Sequence, residues 1–377
     1  MGLFDFLKNK KKSAADGSQD AIQNTESAQG TTPESTVNKP QAPAQNKAKD
    51  GTPSVSKEDL MRQLGRASVE LFSRDDNQEA IAKFHELEKK GLAEAGITLG
   101  QLYQMKDEAE ALKHFRIAAD AGIAEGAWGV AAILSHEYIP DINGKDAEWY
   151  KYCVQAAKGG CPDAMNELGK VYNRKKEYLA AFYWFQMAIY YEHPQAIIDF
   201  KQMLKRIEEE KPLESTFSQS VPEISQEESE SAKILFEIKT GKKQLDQNLV
   251  DALFQLRAMA LGSEIIGLFL GHLFEEVNLD TNAKMSYQVI AHSGSVMGMK
   301  CLGDMQAYGK GCEQDMQKAF SWYQGAAEAY EKTACFIWSQ LFRSKDPEMA
   351  AYWLTASYRR GYQPALDLMM KLGINQR

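Results

Sequence analysis

The sequence predicts an all-α fold in which helix–turn–helix units stack into a solenoid. Three observations carry this. A Leu-Gly pair recurs midway through apolar helical patterns, at Leu99-Gly100, Leu168-Gly169, Leu270-Gly271 and Leu302-Gly303, with Trp128-Gly129 as a variant. Each pair is followed by a second segment that ends in small residues, such as Ala118-Ala119, Ala156-Ala157 and Ala326-Ala327. A glycine then trails the units at a near-constant interval: 31 residues from Gly91 to Gly122, 32 from Gly262 to Gly294, and 67, or two units, from Gly294 to Gly361. A period of this size marks stacked supersecondary units, none of which buries its apolar face alone.

Each element has a local reason. Ala111, Leu112, Phe115, Ala118 and Ala119 follow the i, i+1, i+4, i+7, i+8 stripe of a helix rather than the alternation of a strand. Glycine inside a helix costs about 1 kcal/mol relative to alanine. One at a fixed offset in each first helix therefore predicts a compensating contact, with the partner helix backbone approaching where a Cβ is missing. The trailing glycines suit the left-handed residue just past a helix end. Tyr330 stands where the middle glycine of the 67-residue interval is expected. Pro194 and Pro364 fall near unit boundaries, where they interrupt no helix interior.

These signals divide the chain. Residues 1–12 form a short amphipathic basic segment, and residues 13–57, rich in Ser, Thr, Gln, Ala, Asn and Pro, read as a disordered tether. A first helical array spans 58–206, an acidic linker with Pro212 and Pro222 spans 207–230, and a second array spans 231–377. About eight units result, four on each side of the linker, with 231–262 a degenerate copy. The linker reads as a spacer, with folding back onto a basic patch as the alternative.

The unit at 302–330 resembles a Sel-1-like repeat, a branch of the tetratricopeptide-like helical repeats. Leu302, Gly303, Gly309, Gly311, Asp315, Lys318, Ala319, Trp322, Ala326 and Ala327 stand at the pattern's positions. Gln306, Cys312 and Tyr330 replace its usual Tyr, Val and Gly. The units at 99–122 and 168–192 lack the Gly-x-Gly turn, and 128–160 carries Pro140, Asp141, Asn143 and Gly144 there instead. The resemblance implies a curved scaffold that binds other proteins. It also implies that the first helix of each unit lines the concave face. Positions around each Leu-Gly then nominate a polar groove of Gln101, Gln104, Asn166, Lys170, Asn173, His272, Glu275, Lys300, Asp304, Gln340 and Arg343.

Composition excludes several functions. A net charge of -8 argues against nucleic-acid binding, which needs a concentrated basic face. Cys153, Cys161, Cys301, Cys312 and Cys335 are odd in number and irregular in spacing, as in a reduced cytoplasmic protein. No stretch approaches the ~18 apolar residues of a membrane span. His136-Glu137 lacks a second histidine four residues on, and no Cys or His pairing has zinc-site spacing, so neither a metal nor another cofactor is expected. Gly309-Lys310-Gly311 lies between helices and reads as a turn, not a phosphate loop. The aromatic run Phe182, Tyr183, Trp184 and Phe185 wraps both helix faces and reads as inter-repeat packing.

The functional expectation is a non-enzymatic, cytoplasmic, bacterial scaffold or adaptor for a protein or peptide. Leu3, Phe4, Phe6 and Leu7 followed by Lys8, Lys10, Lys11 and Lys12 add the alternative of peripheral contact with an anionic membrane through residues 1–12. A β-lactam-binding or hydrolysing repeat enzyme is the remaining alternative, weakened by the lack of regular cysteine pairs and an export signal.

Overall fold

The computed structural model describes residues 55–73, 77–134, 140–210, 221–243, 263–276, 278–329 and 331–372. Residues 1–12, nearly all of the predicted tether, the middle of the acidic linker at 211–220, and 244–262 of the degenerate unit lie outside the described residues. Among the described residues there are seventeen α-helices and no strand. In chain order they are α1 (Lys57–Ser73), α2 (Gln78–Lys89), α3 (Glu94–Tyr103), α4 (Glu108–Asp120), α5 (Ala124–Ile133), α6 (Ala147–Lys158), α7 (Pro162–Arg174), α8 (Tyr178–Tyr190) and α9 (Ala196–Glu210). After the linker come α10 (Gln226–Lys239), α11 (Glu264–Glu276), α12 (Asp280–His292), α13 (Val296–Tyr308), α14 (Met316–Glu328), α15 (Lys332–Phe342), α16 (Pro347–Arg359) and α17 (Gln363–Lys371).

Seven helix pairs follow the predicted units: α1/α2, α3/α4, α5/α6, α7/α8, α11/α12, α13/α14 and α15/α16. Short-range chemistry starts and stops them. Asp107, Asp315 and Asp346 cap α4, α14 and α16 by accepting hydrogen bonds from backbone N–H groups of the first turn. The aspartate of the repeat pattern is thus a helix cap. The trailing glycines take the left-handed conformation, with φ of 90° at Gly91, 84° at Gly122, 88° at Gly160, 96° at Gly294 and 75° at Gly361. The Gly309-Lys310-Gly311 turn uses the same freedom, with φ of 68° and 65° at its glycines.

The Leu-Gly glycines are explained differently from the expectation. What lies over them is an aromatic ring of the second helix, not that helix's backbone. A Cβ on Gly100 would stand 2.6 Å from the Phe115 ring, one on Gly169 2.5 Å from Phe185, and one on Gly303 2.8 Å from Tyr323. Tyr287 covers Gly271 in the same way. Phe115 also lies against Gly129 of the next first helix, so one ring locks two units together. Close backbone approach occurs earlier in the first helices. A Cβ on Gly96 would meet the His114 carbonyl oxygen at 2.7 Å, and one on Gly126 the Ala119 nitrogen at 2.6 Å.

The stack also closes. The apolar face of α1 packs on α16, at the opposite end of the chain, and Leu60, Leu64 and Ala67 share one core with Met349, Tyr352 and Trp353. Gly65 admits the α16 backbone, with a Cβ there 2.8 Å from the Tyr352 nitrogen. Arg62 pairs with Asp346 at 2.7 Å and Arg66 with Glu348 at 2.8 Å across this seam. Ends that an open solenoid would expose to water are buried against each other. A second core runs from Ala111 to Met305 and takes in α8, whose Phe182, Trp184 and Phe185 are buried.

The ring-over-glycine contact predicts a coupled mutant pair. Phe115→Ala should cost about 3–5 kcal/mol. Gly100→Ala should destabilise the wild type, because its Cβ meets the ring, yet be neutral or stabilising in the Phe115→Ala background, where it fills the vacated space. The coupling in a urea-unfolding double-mutant cycle should reach about 1–3 kcal/mol. Equal damage in both backgrounds would show that the ring is not why glycine stands there.

Candidate functional site

Closure turns the helix-pair corners of the middle units toward those of the last units. Between them lies a cavity of about 220 Å³, bounded by the starts of α5, α7 and α13 and the corners before α15 and after α16. Trp128, Tyr191 and Met297 supply apolar wall, and Glu125, Asp163, Lys332 and Arg360 supply charge.

The corner after α8 departs from the others. Two residues past the helix end, where five other corners carry glycine, stands Glu192 with φ of 58°. Its N–H donates to the Ile189 carbonyl as that of Gly122 does to Ala119, so the corner geometry is kept with a side chain attached. A left-handed non-glycine residue costs of order 1–2 kcal/mol. The carboxylate lies 3.1 Å from Lys332 Nζ and 3.6 Å from Lys300 Nζ, and Lys300 is also 3.2 Å from Asp304. Partial loss of water works against the charge on Glu192, whose side chain is 48% exposed. Lys300 and Lys332 outweigh it and hold the carboxyl below its ordinary range. Lys300 is half-buried, which works against its charge, and Asp304 foremost among its partners holds its ammonium above the ordinary value. Nearby, Arg360 at the end of α16 pairs with Glu125 of α5. Lys332 links the Glu192 network to the cleft wall, where Glu125 and Arg360 pair.

The residues nominated from the sequence fall into separate settings. Lys300 and Asp304 belong to the Glu192 network beside the cleft. Asn166 is buried and donates to Asp199 at 3.0 Å, and Lys170 pairs with Glu167 at 3.3 Å. Asn173 has a buried side-chain oxygen without a hydrogen-bond partner. His272 stacks on Tyr190 with centroids 5.3 Å apart, and Glu275 accepts from the Tyr287 hydroxyl at 2.7 Å. Gln101, Gln340 and Arg343 are exposed, and Gln104 is half-buried at the end of α3. Glu125, Glu192, Lys332 and Arg360 were not nominated. The one sequence sign of Glu192 is that it breaks the register of trailing glycines.

The cleft brings together no nucleophile and general base. Cys161 is buried and Cys301 half-buried, and loss of water pushes each thiol up to about 12. At neutral pH they stay protonated and unreactive. Among the described residues one group has the composition of a metal site: His85, Glu88 and His114, in the first two units.

The acidic linker contributes a half-buried carboxyl. Residues 207–210 end α9 and 226–230 begin α10, while Val221 is buried and its N–H donates to Ser229 Oγ at 2.9 Å. Glu223 receives hydrogen bonds from the hydroxyls of Tyr150 and Tyr172 and, at 3.3 Å, from Trp184 Nε1. The segment thus docks on an aromatic, hydroxyl-bearing surface of the first array rather than on a basic patch. Burial pushes the Glu223 carboxyl up to about 7, against the pull of a hydrogen bond from its own backbone.

Comparison with known proteins shows the repeat type. Residues 94–123, 162–190, 302–330 and 335–362 match the Sel1 repeat family model. No curated protein matches the chain. Similar solved structures include a protective antigen of uropathogenic Escherichia coli strains displaying an SLR fold, with 19% identity, 86% of this chain and 77% of that chain covered, and a TM-score of 0.33. A Sel1 repeat protein from Oxalobacter formigenes matches at 16% identity over 82% of this chain and 85% of its own, with a TM-score of 0.33. Immunity protein Pa5087 from Pseudomonas aeruginosa matches at 15% identity over 86% of each chain, with a TM-score of 0.27.

Glu223 predicts a pH-dependent dock. Its folded value, about 7, lies above its ordinary 4.5. The neutral carboxyl's contribution is complete below the ordinary value and is lost as pH rises through about 7. Hydrogen exchange at residues 221–225 should therefore quicken between about pH 5 and about pH 8 beyond its intrinsic rise. Glu223→Gln should abolish that excess, and an excess unchanged in this variant would assign it to another group.

Proposed function

We propose that this chain, which carries Sel1 repeats, is a protein-binding scaffold without catalytic chemistry of its own, and that the cleft at Glu192 takes a polar segment of the partner. The observation that carries this reading is Glu192 itself. Stability alone favours glycine in a left-handed corner, yet this one holds a side chain engaged by Lys300 and Lys332 of other units. Alternating charges suit a partner segment that bears both signs and exchanges internal ion pairs for intermolecular ones. Such pairs set register and partner choice more than raw affinity. The mixed signs favour protein over nucleic acid, whose phosphates need a uniformly basic face. Of the nominated groove, Lys300 and Asp304 form the part this cleft uses.

Five free cysteines fit a reducing cytoplasm and set the chain apart from cysteine-paired, exported repeat enzymes. Among the described residues no helix is long and apolar enough to cross a membrane. The second reading is the same scaffold tethered through residues 1–12, which lie outside the described residues. It predicts that a fusion of that segment co-sediments with anionic vesicles at low salt and is released by high salt.

The main test is affinity capture from the source cell with wild type and with the Lys300→Glu/Lys332→Glu double variant. A bound protein whose affinity falls about tenfold or more in the variant, with helicity and melting unchanged, supports the cleft. Equal capture by both places the binding surface elsewhere. Turnover of a β-lactam or ester by the purified chain would overturn the non-enzymatic assignment.

A further inference from the structure

The first two units hold a side-chain cluster that no packing role accounts for. His85 and Glu88 stand three residues apart on α2, so they share one helix face. His114 on α4 points at that face, with Nδ1 2.8 and 2.9 Å from the two Glu88 carboxylate oxygens. One ligand atom from each of His85, Glu88 and His114 lies within 4.8 Å of the others. Tyr103, at the end of α3, closes the group: its ring stacks on His114 with centroids 5.6 Å apart, and its hydroxyl is 3.1 Å from His85 Nε2.

Two details separate this cluster from an ordinary ion pair. The His114 side chain is 3% exposed and that of Glu88 9%, so water does little for either. With the Nδ1 proton held by Glu88, the other ring nitrogen of His114 is buried and has no hydrogen-bond partner. A Glu110 carboxylate oxygen stands 3.7 Å from that Nε2. A buried polar atom left this way costs free energy without return.

We propose that His85, Glu88 and His114 bind a divalent transition ion of the Zn²⁺ class. An ion in the proton's place on Nδ1 switches His114 to the Nε2–H tautomer, and Nε2–H donates toward Glu110. The orphaned nitrogen gains its partner, and the carboxylate–histidine–metal relay found around bound zinc is completed. No net proton is taken up by a neutral imidazole in this switch. Glu88 and Nδ1 already touch, so the set closes on the ion by moving His85, the more exposed of the two imidazoles. Two imidazoles and a carboxylate are donors for zinc-like ions, not for Ca²⁺ or Mg²⁺, which take oxygen shells. Three protein ligands leave a fourth position for water. The ion ties α2 to α4, and so the first unit to the second. Residues 85 and 114 lie in different units with no metal-site spacing, so only the stacking of units assembles the set.

The test is titration of metal-free, untagged full-length chain, its accessible Cys312 alkylated, with Zn²⁺ and then Co²⁺. The expected result is one equivalent bound, a raised melting temperature, and visible d–d bands of Co²⁺ in low coordination that Zn²⁺ abolishes. His85→Gln, at the least buried ligand, should remove the bands without changing the metal-free melting curve. Glu110→Gln should weaken binding about tenfold by loosening the outer hydrogen bond. His292→Gln, at an exposed histidine of α12, should leave binding intact. Absence of stoichiometric binding at micromolar metal, or bands that survive in both His85→Gln and His114→Ala, would overturn the proposal.

Discussion

Aromatic rings from four second helices, α4, α8, α12 and α14, occupy the space where a Cβ would stand on a neighbouring first helix, and the stacking of the units depends on that fit. The glycine costs helix propensity, and the ring returns dispersion contacts and apolar burial in its place. Because Phe115 touches both Gly100 and Gly129, the contact works within a unit and between units. The same device at Gly169, Gly271 and Gly303 sets how closely successive helices approach. That spacing in turn sets how far the stack curves.

Curvature is what brings α1 onto α16. Once the two ends share a core, neither needs a polar capping face of the kind open solenoids carry. Closure also faces corners from distant units toward one another, which creates the cleft. The charges there are not a surface accident. Glu192 holds a left-handed backbone that glycine would adopt freely, and it is paired by lysines from two other units. Glu125 and Arg360 join the middle of the chain to its last corner in the same cleft. Glu223 does a related job on the outer side of α8, where a segment of the acidic linker hands its carboxyl to two tyrosines and a tryptophan.

Most of the fold was legible from short-range rules. Trailing glycines at 91, 122, 160, 294 and 361 announce left-handed corners, and all five adopt them. The aspartate of the repeat pattern was legible only as a position of that pattern, and the structure makes Asp315 a helix cap. The Leu-Gly glycine signals close contact, but spacing along one chain does not distinguish a ring from a backbone as the thing that approaches. The groove was less legible, because a helical wheel assigns a face without saying whether a neighbouring unit covers it. Asn166 and His272 show this: both stand at polar first-helix positions, and both are spent on adjacent helices, at Asp199 and Tyr190.

The sequence by itself determined the helices, their pairing into repeat units and the corners between them, because each follows from contacts within about thirty residues. Only the tertiary structure decided that the stack closes, that Glu192 meets Lys300 and Lys332, and that Glu88 meets His114 across 26 residues. The physical reason is that a repeat specifies each interface separately. The position of one unit relative to a distant one is the sum of many small rotations, which no local pattern records.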